Sequence, residues 1–569
     1  MRNPWIFRLI TLLIPIIFFV FIEVALRLIG IGESKPLFIP NPAHPDYILP
    51  RPDVLSRYFP ADATVPDVTL EANFLLKQKP QNGIRIFVQG GSTAAGYPYG
   101  LGASLAGMLD HRLKKSLPNH HVEVVNTAMS AVNSFTLLDL ADEIIEQQPD
   151  AVLIYAGHNE YLGILGVGSS FTLGSNYWLT RSMLWLKDLR LYQLIQNAIY
   201  ALSAQSGNAA NGQATNRRTV MSQVAKHKDI AYQSDLFKAG VTQFERNLSA
   251  LLTKYRNAGV PVFLATIASN HRHHKPFNSL PISDAAKAQL AQSSTPTAQA
   301  NVASQLVSNQ SADLHFALAQ QFLSQSQIDL AKKHFALAKN YDLLRFRAPE
   351  VINDVILRFA GADVFIADVN ARMQQRSEAG IIGNNLMLEH LHPNVQGYFL
   401  LADTFYQSLL KSQIFTPFIN IDINQAWRSR PLLPAEEYFG FASVLTLMSD
   451  YPFTDSPKPV ALPVPTDWQQ ELGKQQFTKQ IDWLTMAKRS SERYRKNNQP
   501  EMWIKSLQII ADALPHDPLA NIRVAELLMK QKRYSEAKYY LTRAKQAGTI
   551  NSELDKQIEF AKEQARVTL

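Results

Sequence analysis

Ile84-Arg85-Ile86-Phe87-Val88-Gln89-Gly90-Gly91-Ser92-Thr93 is the stretch on which the reading of this chain turns. An apolar, β-type run ends in two glycines and a serine, and Ala94-Ala95-Gly96 keeps the next residues small. Glycine permits a sharp strand-to-helix turn and a close backbone approach. A hydroxyl on such a turn stands beside backbone amides able to stabilise an oxyanion. A Gly-Gly-Ser-Thr turn is also compatible with a plain turn or a phosphate site. No lysine follows in the Walker spacing, which argues against a P-loop.

Outward from this turn the pattern alternates. It predicts a helix over 101–117, a strand over 122–125, a helix over 135–147 and a strand over 151–155 that ends at Gly157. A helix over 242–258 then precedes a strand over 260–267. Strand, crossover helix and strand in regular succession predict an α/β fold with a parallel sheet covered on both faces. Working residues in such sheets gather at the carboxyl ends of the strands, where Ser92 and Gly157 fall.

Two further blocks carry chemistry. Gly157-His158-Asn159-Glu160 follows a strand, and the Asn159 amide is a potential oxyanion donor or a turn former. Glu389-His390-Leu391-His392-Pro393 offers His392 as a general base, with Glu389 three positions earlier to orient its ring. His-x-His is also a pattern that metal sites use. His271-Arg272-His273-His274 lacks a carboxylate at useful spacing and reads as a loop rather than a metal cluster.

These blocks resemble those of the SGNH, or GDSL-like, hydrolase superfamily. Gly90-Gly91-Ser92 is similar to its nucleophile block, with Gly91 for the usual aspartate. Asn126-Thr127-Ala128-Met129-Ser130-Ala131 is similar to its second block, with Ala131 or Ser130 in the slot of a glycine whose amide helps hold the oxyanion. Gly157-His158-Asn159-Glu160 resembles Gly-x-Asn-Asp, and Glu389-x-x-His392-Pro393 resembles Asp-x-x-His-Pro. The resemblance implies an SGNH-hydrolase-like (flavodoxin-like) three-layer fold and a catalytic set of Ser92, Glu389 and His392. It also implies an oxyanion hole of Ser92, Ala131 and Asn159. No metal or organic cofactor is required. The match spans 82–412 and comes closest to a bacterial membrane-anchored subgroup with tetratricopeptide-like helices. Tyr341-Asp342-Leu343-Leu344-Arg345-Phe346-Arg347-Ala348-Pro349 contributes to that resemblance. Arg345 and Arg347 could hold an anionic substrate group or form a structural salt bridge, and His158 could touch substrate or simply pack.

The apolar run from Leu9, preceded by Arg2 and Arg8, is long enough to span a bilayer if counted through Ile31. The positive-inside rule then places the rest outside the cytoplasm. A cleaved signal peptide is the rival, but no A-x-A-like site follows. The expected location is therefore the bacterial inner membrane, single-pass, with the catalytic domain extracytoplasmic. The chain has no cysteine, which excludes disulfides, zinc–thiolate sites and cysteine nucleophiles. The net charge of +8 is scattered, without a basic stripe, so nucleic acid is not an expected partner.

The organisation expected is a cytoplasmic N-terminus and anchor over 1–32, then a Pro-rich linker over 33–80 acting as a spacer. A hydrolase domain covers 81–415 with a helical insertion at about 200–345. A Pro-rich connector over 416–480 and a helical region over 481–569 follow. Polar stretches at 203–219 and 290–312 read as surface loops. Ala319, Ala331, Phe335 and Ala338 repeat the spacing of Ala525, Ala537, Leu541 and Ala544, a pattern that resembles tetratricopeptide hairpins. Such helices could recruit a protein partner, although two unrelated helix pairs would show the same pattern. The function expected is an exported serine esterase acting on an envelope ester such as an O-acylated glycan or a lipid. The alternatives are an inactive scaffold and an acyltransferase modifying an envelope glycan.

Overall fold

The computed structural model describes residues 4–568 apart from 64, 170–175, 206–218, 226–228, 283, 293–300, 303–305, 307–308, 458 and 549–551. Much of the two expected polar loops thus lies outside the described residues.

Helix α1 (Pro4–Leu28) carries the apolar run, and Thr11–Leu28 within it is long and apolar enough to cross a membrane. The Pro-rich segment that follows departs from the expected free spacer. It folds into an antiparallel sheet of β1 (Phe38–Pro40), β2 (Tyr47–Pro50) and β3 (Leu75–Leu76). The apolar residues between its prolines decide the outcome. Leu37, Val54, Leu55 and Leu70 are buried in the main core, and Phe38 meets Phe87 edge-on with ring centroids 5.8 Å apart. Proline is tolerated at strand ends and in turns, so its density did not preclude packing.

The central sheet follows. Its strands are β4 (Gly83–Gly90), β5 (His121–Asn126), β6 (Ala151–Tyr155), β7 (Val262–Ala265) and β8 (Val364–Ala367). All neighbours are parallel, in the order β5-β4-β6-β7-β8. Renumbered within the sheet this is 2-1-3-4-5, the flavodoxin-like order, whose ligand crevice lies where the winding reverses. Here that point falls between β4 and β6, where Gly90 pairs with Tyr155.

Between the strands run α2 (Ser92–Ala95), α3 (Leu105–Ser116), α4 (Ser134–Glu146), α5 (Tyr177–Leu186), α6 (Arg190–Gln205), α7 (Val220–Ala225) and α8 (Asp235–Asn257). Helix α3 packs with helix Val395–Ser412, and α4 with α8. Arg85, fully buried on β4, donates to Glu123 on β5 at 2.7 Å and to the Leu76 carbonyl at 2.6 Å. One side chain thus fastens the N-terminal sheet to the central one.

The region expected as a Pro-rich connector contains helices Ile423–Arg428, Pro434–Met448 and Trp468–Phe477. The longest stretch without helix among its described residues, 449–467, holds the proline cluster. Leu433 and Ala435 share a small core with Met486, Ala487, Tyr494 and Ile509, so this region is packed against the C-terminal helices. The two repeated patterns form helix pairs, Ala312–Ser324 with Ile328–Tyr341 and Pro518–Lys530 with Tyr534–Gln546. All eight patterned residues are buried. The small alanines allow close helix approach while Phe335 and Leu541 fill the remaining gap. The C-terminal helices also bind the sheet domain directly, through Lys114 to Asp512 at 3.0 Å.

Candidate active site

Ser92 opens α2 immediately beyond β4, and the backbone around it leaves no room for a side chain at Gly90. A Cβ on Gly90 would collide with the Tyr155 carbonyl and the Ala94 methyl, while one on Gly91 would stand 2.8 Å from Asn159 Nδ2. The Asn159 side chain thus lies against the bare face of Gly91. This brings Asn159, from the short 3-10 turn His158–Glu160 after β6, beside the serine.

His392 arrives from the other end of the domain, just before helix Val395–Ser412. Its Nε2 lies 2.7 Å from Ser92 Oγ, and its Nδ1 faces Glu389 Oε1. Glu389 is 2% exposed, and the same oxygen also accepts from the His392 amide at 3.0 Å. A neutral His392 with its proton on Nδ1 would donate to Glu389 and leave Nε2 free to take the serine proton. Burial lowers the His392 pKa, which favours that neutral ring near pH 7. The extra methylene of glutamate is accommodated, since the carboxylate contacts Nδ1 directly. The Tyr97 ring packs on the other side of the imidazole, with centroids 4.7 Å apart.

Ala131 occupies the slot where the resemblance has glycine, and its φ is +60°. Alanine here carries the left-handed conformation that glycine adopts freely, at a cost of roughly 1–2 kcal/mol. The loop is held in that shape from outside. The Ala131 carbonyl accepts from the Ile164 amide at 2.6 Å, and Val132 bridges to Ile164. Glu160 accepts from the Ser134 hydroxyl at 2.8 Å, the Ser134 amide at 3.2 Å and the Gln243 amide at 2.6 Å. Burial raises the Glu160 pKa to about 7 despite these donors. Glu160, read from sequence only as a replacement for aspartate, is thus the clasp between the Ala131 and Asn159 loops.

Two residues have a larger part than sequence suggested. His390 is buried, and its Nδ1 meets the second oxygen of Glu389. The carboxylate therefore lies between two imidazoles. Among the described residues, Glu389, His390 and His392 are the group with metal-ligand proximity, their ligand atoms lying within 4.8 Å of one another. Both Nδ1 atoms face the carboxylate and His392 Nε2 faces Ser92, a hydrogen-bond relay. Gly163 is the second. A Cβ there would stand 2.7 Å from the Ala131 carbonyl, so its bareness lets the two loops meet.

Three sequence-selected residues lie elsewhere. Arg345 donates to the Ile230 carbonyl at 2.8 Å and the Asn340 carbonyl at 3.0 Å, with its guanidinium over Phe237. Arg347 pairs with Asp342 at 3.1 Å and donates to the carbonyls of Asn270 and His274. His158 is buried, with Nε2 at 3.1 Å from the Ala268 carbonyl. None of the three lines the cavity. The two arginines are structural pins because the carbonyls of surrounding loops need their donors.

That cavity is about 820 Å³ and is bordered by Ser92, Ala131, Asn159 and His392. Its walls come from every region: Val68 and Phe74 of the N-terminal segment, Val220 and Val224 of α7, Leu447, and Trp483, Ile509 and Leu514 of the C-terminal helices.

The strand order places serine and asparagine at the switch point, with histidine reaching Ser92 from the far end of the domain. No family model matches the chain, and no curated protein does. Among solved structures, it is similar to a GDSL-like lipase from Parabacteroides merdae at 10% identity and TM-score 0.29, over 59% of this chain and 99% of that one. It is similar to a mutant of Axe2, an acetyl-xylooligosaccharide esterase from Geobacillus Stearmophilus, at 12% identity and TM-score 0.25 over 60% and 100%. A third likeness is to the acetyl xylan esterase AlAXEase, at 12% identity and TM-score 0.24 over 57% and 100%.

Proposed function

We propose that this chain is a membrane-anchored serine ester hydrolase of the bacterial inner membrane, with its catalytic domain on the extracytoplasmic side. The observation that carries the reading is the relay from Ser92 Oγ to His392 Nε2 at 2.7 Å, backed on Nδ1 by the buried Glu389 carboxylate. His392 takes the Ser92 proton as the oxygen attacks an ester carbonyl. The amides of Ser92 and Ala131 and the Asn159 side chain receive the oxyanion. His392, now cationic and held by Glu389, protonates the leaving alcohol, and water hydrolyses the acyl-enzyme by the same route reversed. The breadth of the cavity and its aliphatic and aromatic walls favour an ester with a bulky apolar part, such as a lipid, over a bare acetyl group. In this reading the C-terminal helices are walls of the substrate chamber as well as a surface for partners.

Ser92→Ala should abolish turnover of p-nitrophenyl esters and labelling by a serine-reactive phosphonate, with an unchanged thermal melt. Full activity in that variant would overturn the assignment. Failure of the wild-type protein to label would favour an inactive scaffold.

A further inference from the structure

Glu23 is a carboxylate inside an otherwise apolar helix, and the structure gives it a partner. It accepts from the backbone amides of Arg190 at 3.0 Å and Leu191 at 3.1 Å, the first residues of α6. Arg27 pairs with Glu23 at 2.8 Å and donates to the Asp188 carbonyl at 3.1 Å. Gln193 donates to the Glu33 carbonyl at 2.9 Å. The exit end of α1 is therefore fastened to the α5–α6 turn by side chains satisfying backbone groups that a helix start leaves open.

The outer faces of α5 and α6 are strongly apolar. Trp178 is 70% exposed and Trp185 78%, and Leu194, Ile195, Ile199 and Leu202 repeat at helical spacing along α6. All six residues are more than two-fifths exposed. A soluble surface rarely presents so continuous an apolar row. Tryptophans flanking an amphipathic helix are characteristic of segments lying at a lipid headgroup boundary.

We propose that the α5–α6 hairpin lies in the outer interface of the bilayer that α1 crosses, so that the catalytic body is seated on the membrane rather than tethered above it. The occupant is lipid, because the stripe is continuous with the exit end of α1. The proposal rests on reading α1 as a membrane span, and its test separates the two.

The chain has no cysteine, so single cysteines can be placed in the full-length protein without background. Trp185→Cys, Ile199→Cys, Ile17→Cys and Val464→Cys are each labelled with a nitroxide and reconstituted in phosphatidylethanolamine–phosphatidylglycerol vesicles. Collisions with oxygen, which enters lipid, are compared with those of a water-soluble nickel chelate. The labels at 185 and 199 are expected to collide more with oxygen than with nickel, as at 17, and the label at 464 the reverse. A nickel-dominated signal at 185 and 199 overturns the proposal whatever position 17 reports. A nickel-dominated signal at 17 with oxygen dominance at 185 and 199 overturns the spanning reading and supports the interfacial hairpin.

Discussion

Replacing Glu389 with glutamine removes one charge and almost no volume, at a group buried between two histidines. One oxygen faces Nδ1 and the amide of His392, and the other faces Nδ1 of His390. Every neighbour that touches the carboxylate in this way can donate, so the new amide nitrogen must point at donors in either orientation. Turned toward His392, it drives the ring to the tautomer with a proton on Nε2, which cannot accept from Ser92. Turned toward His390, it opposes that residue's amide, a mismatch of about 1–3 kcal/mol. The imidazolium formed during attack also loses its counter-charge, worth about 4 kcal/mol at 4 Å and an effective dielectric near 20. Together these give a fall in kcat of roughly 10⁴- to 10⁵-fold, with KM little changed. Steady-state hydrolysis of a p-nitrophenyl ester measures it, with the phosphonate labelling rate as a second readout and near-UV circular dichroism to verify the fold. A loss below about tenfold, with Ser92→Ala inactive, would refute the role given to Glu389.

Gly91→Ala should press on Asn159 Nδ2 and lower kcat about 10²-fold, the usual scale for one oxyanion donor, with KM largely kept. Unaltered turnover would remove Asn159 from the oxyanion site. Ala131→Gly relieves a left-handed alanine while keeping its amide, so thermal stability should hold or rise and activity should persist; a large loss of activity would show that the methyl itself is needed. Stability should also depend on pH. Burial lowers the pKa of His111 to about 4 and of His158 and His271 to about 3, so below pH 6.5 the unfolded chain takes up protons that the folded one refuses. Each such histidine costs about 1.4 kcal/mol per pH unit of descent. Burial raises the pKa of Glu160 and Glu436 to about 7, and these act oppositely between pH 7 and about 4.5. Burial lowers His274, His334, His390 and His392 as well, so the histidines outweigh the two glutamates and the melting temperature should fall from pH 6.5 downward, more steeply below 4.5; a midpoint holding steady to pH 4 would refute this balance.

The sheet was legible because four of its strands are apolar runs bounded by glycine or a turn, each followed or preceded by a helical period. The fifth, Val364–Ala367, is cut off on both sides by Asp363 and Asp368, so no longer apolar run marks it. Ser92, Asn159 and His392 could be read because each sits in a local block with fixed spacing. His390 could not, since its role depends on the direction in which the Glu389 carboxylate turns. Of the two readings open for Arg345 and Arg347, the geometry fits the structural one, with Asp342 as the ion-pair partner and Asn340 close by, but the other carbonyl partners lie 73 or more positions away and could not be read locally. The Pro-rich segment misled because its prolines were weighed and its Leu37, Val54 and Leu55 were not. The cavity has no sequence signature at all, because its lining is collected from both ends of the chain.

That last feature bears on the timing of biogenesis. Ser92, Asn159 and His392 leave the ribosome in turn, but Trp483, Ile509 and Leu514 come only with the closing helices. Under the proposed reading, a nascent or truncated chain would display Ser92 in a trough open to one side. A chain ending before Trp483 would keep Ser92, Asn159 and His392 but lose that wall, so shortening would change which esters fit before it removed the serine itself.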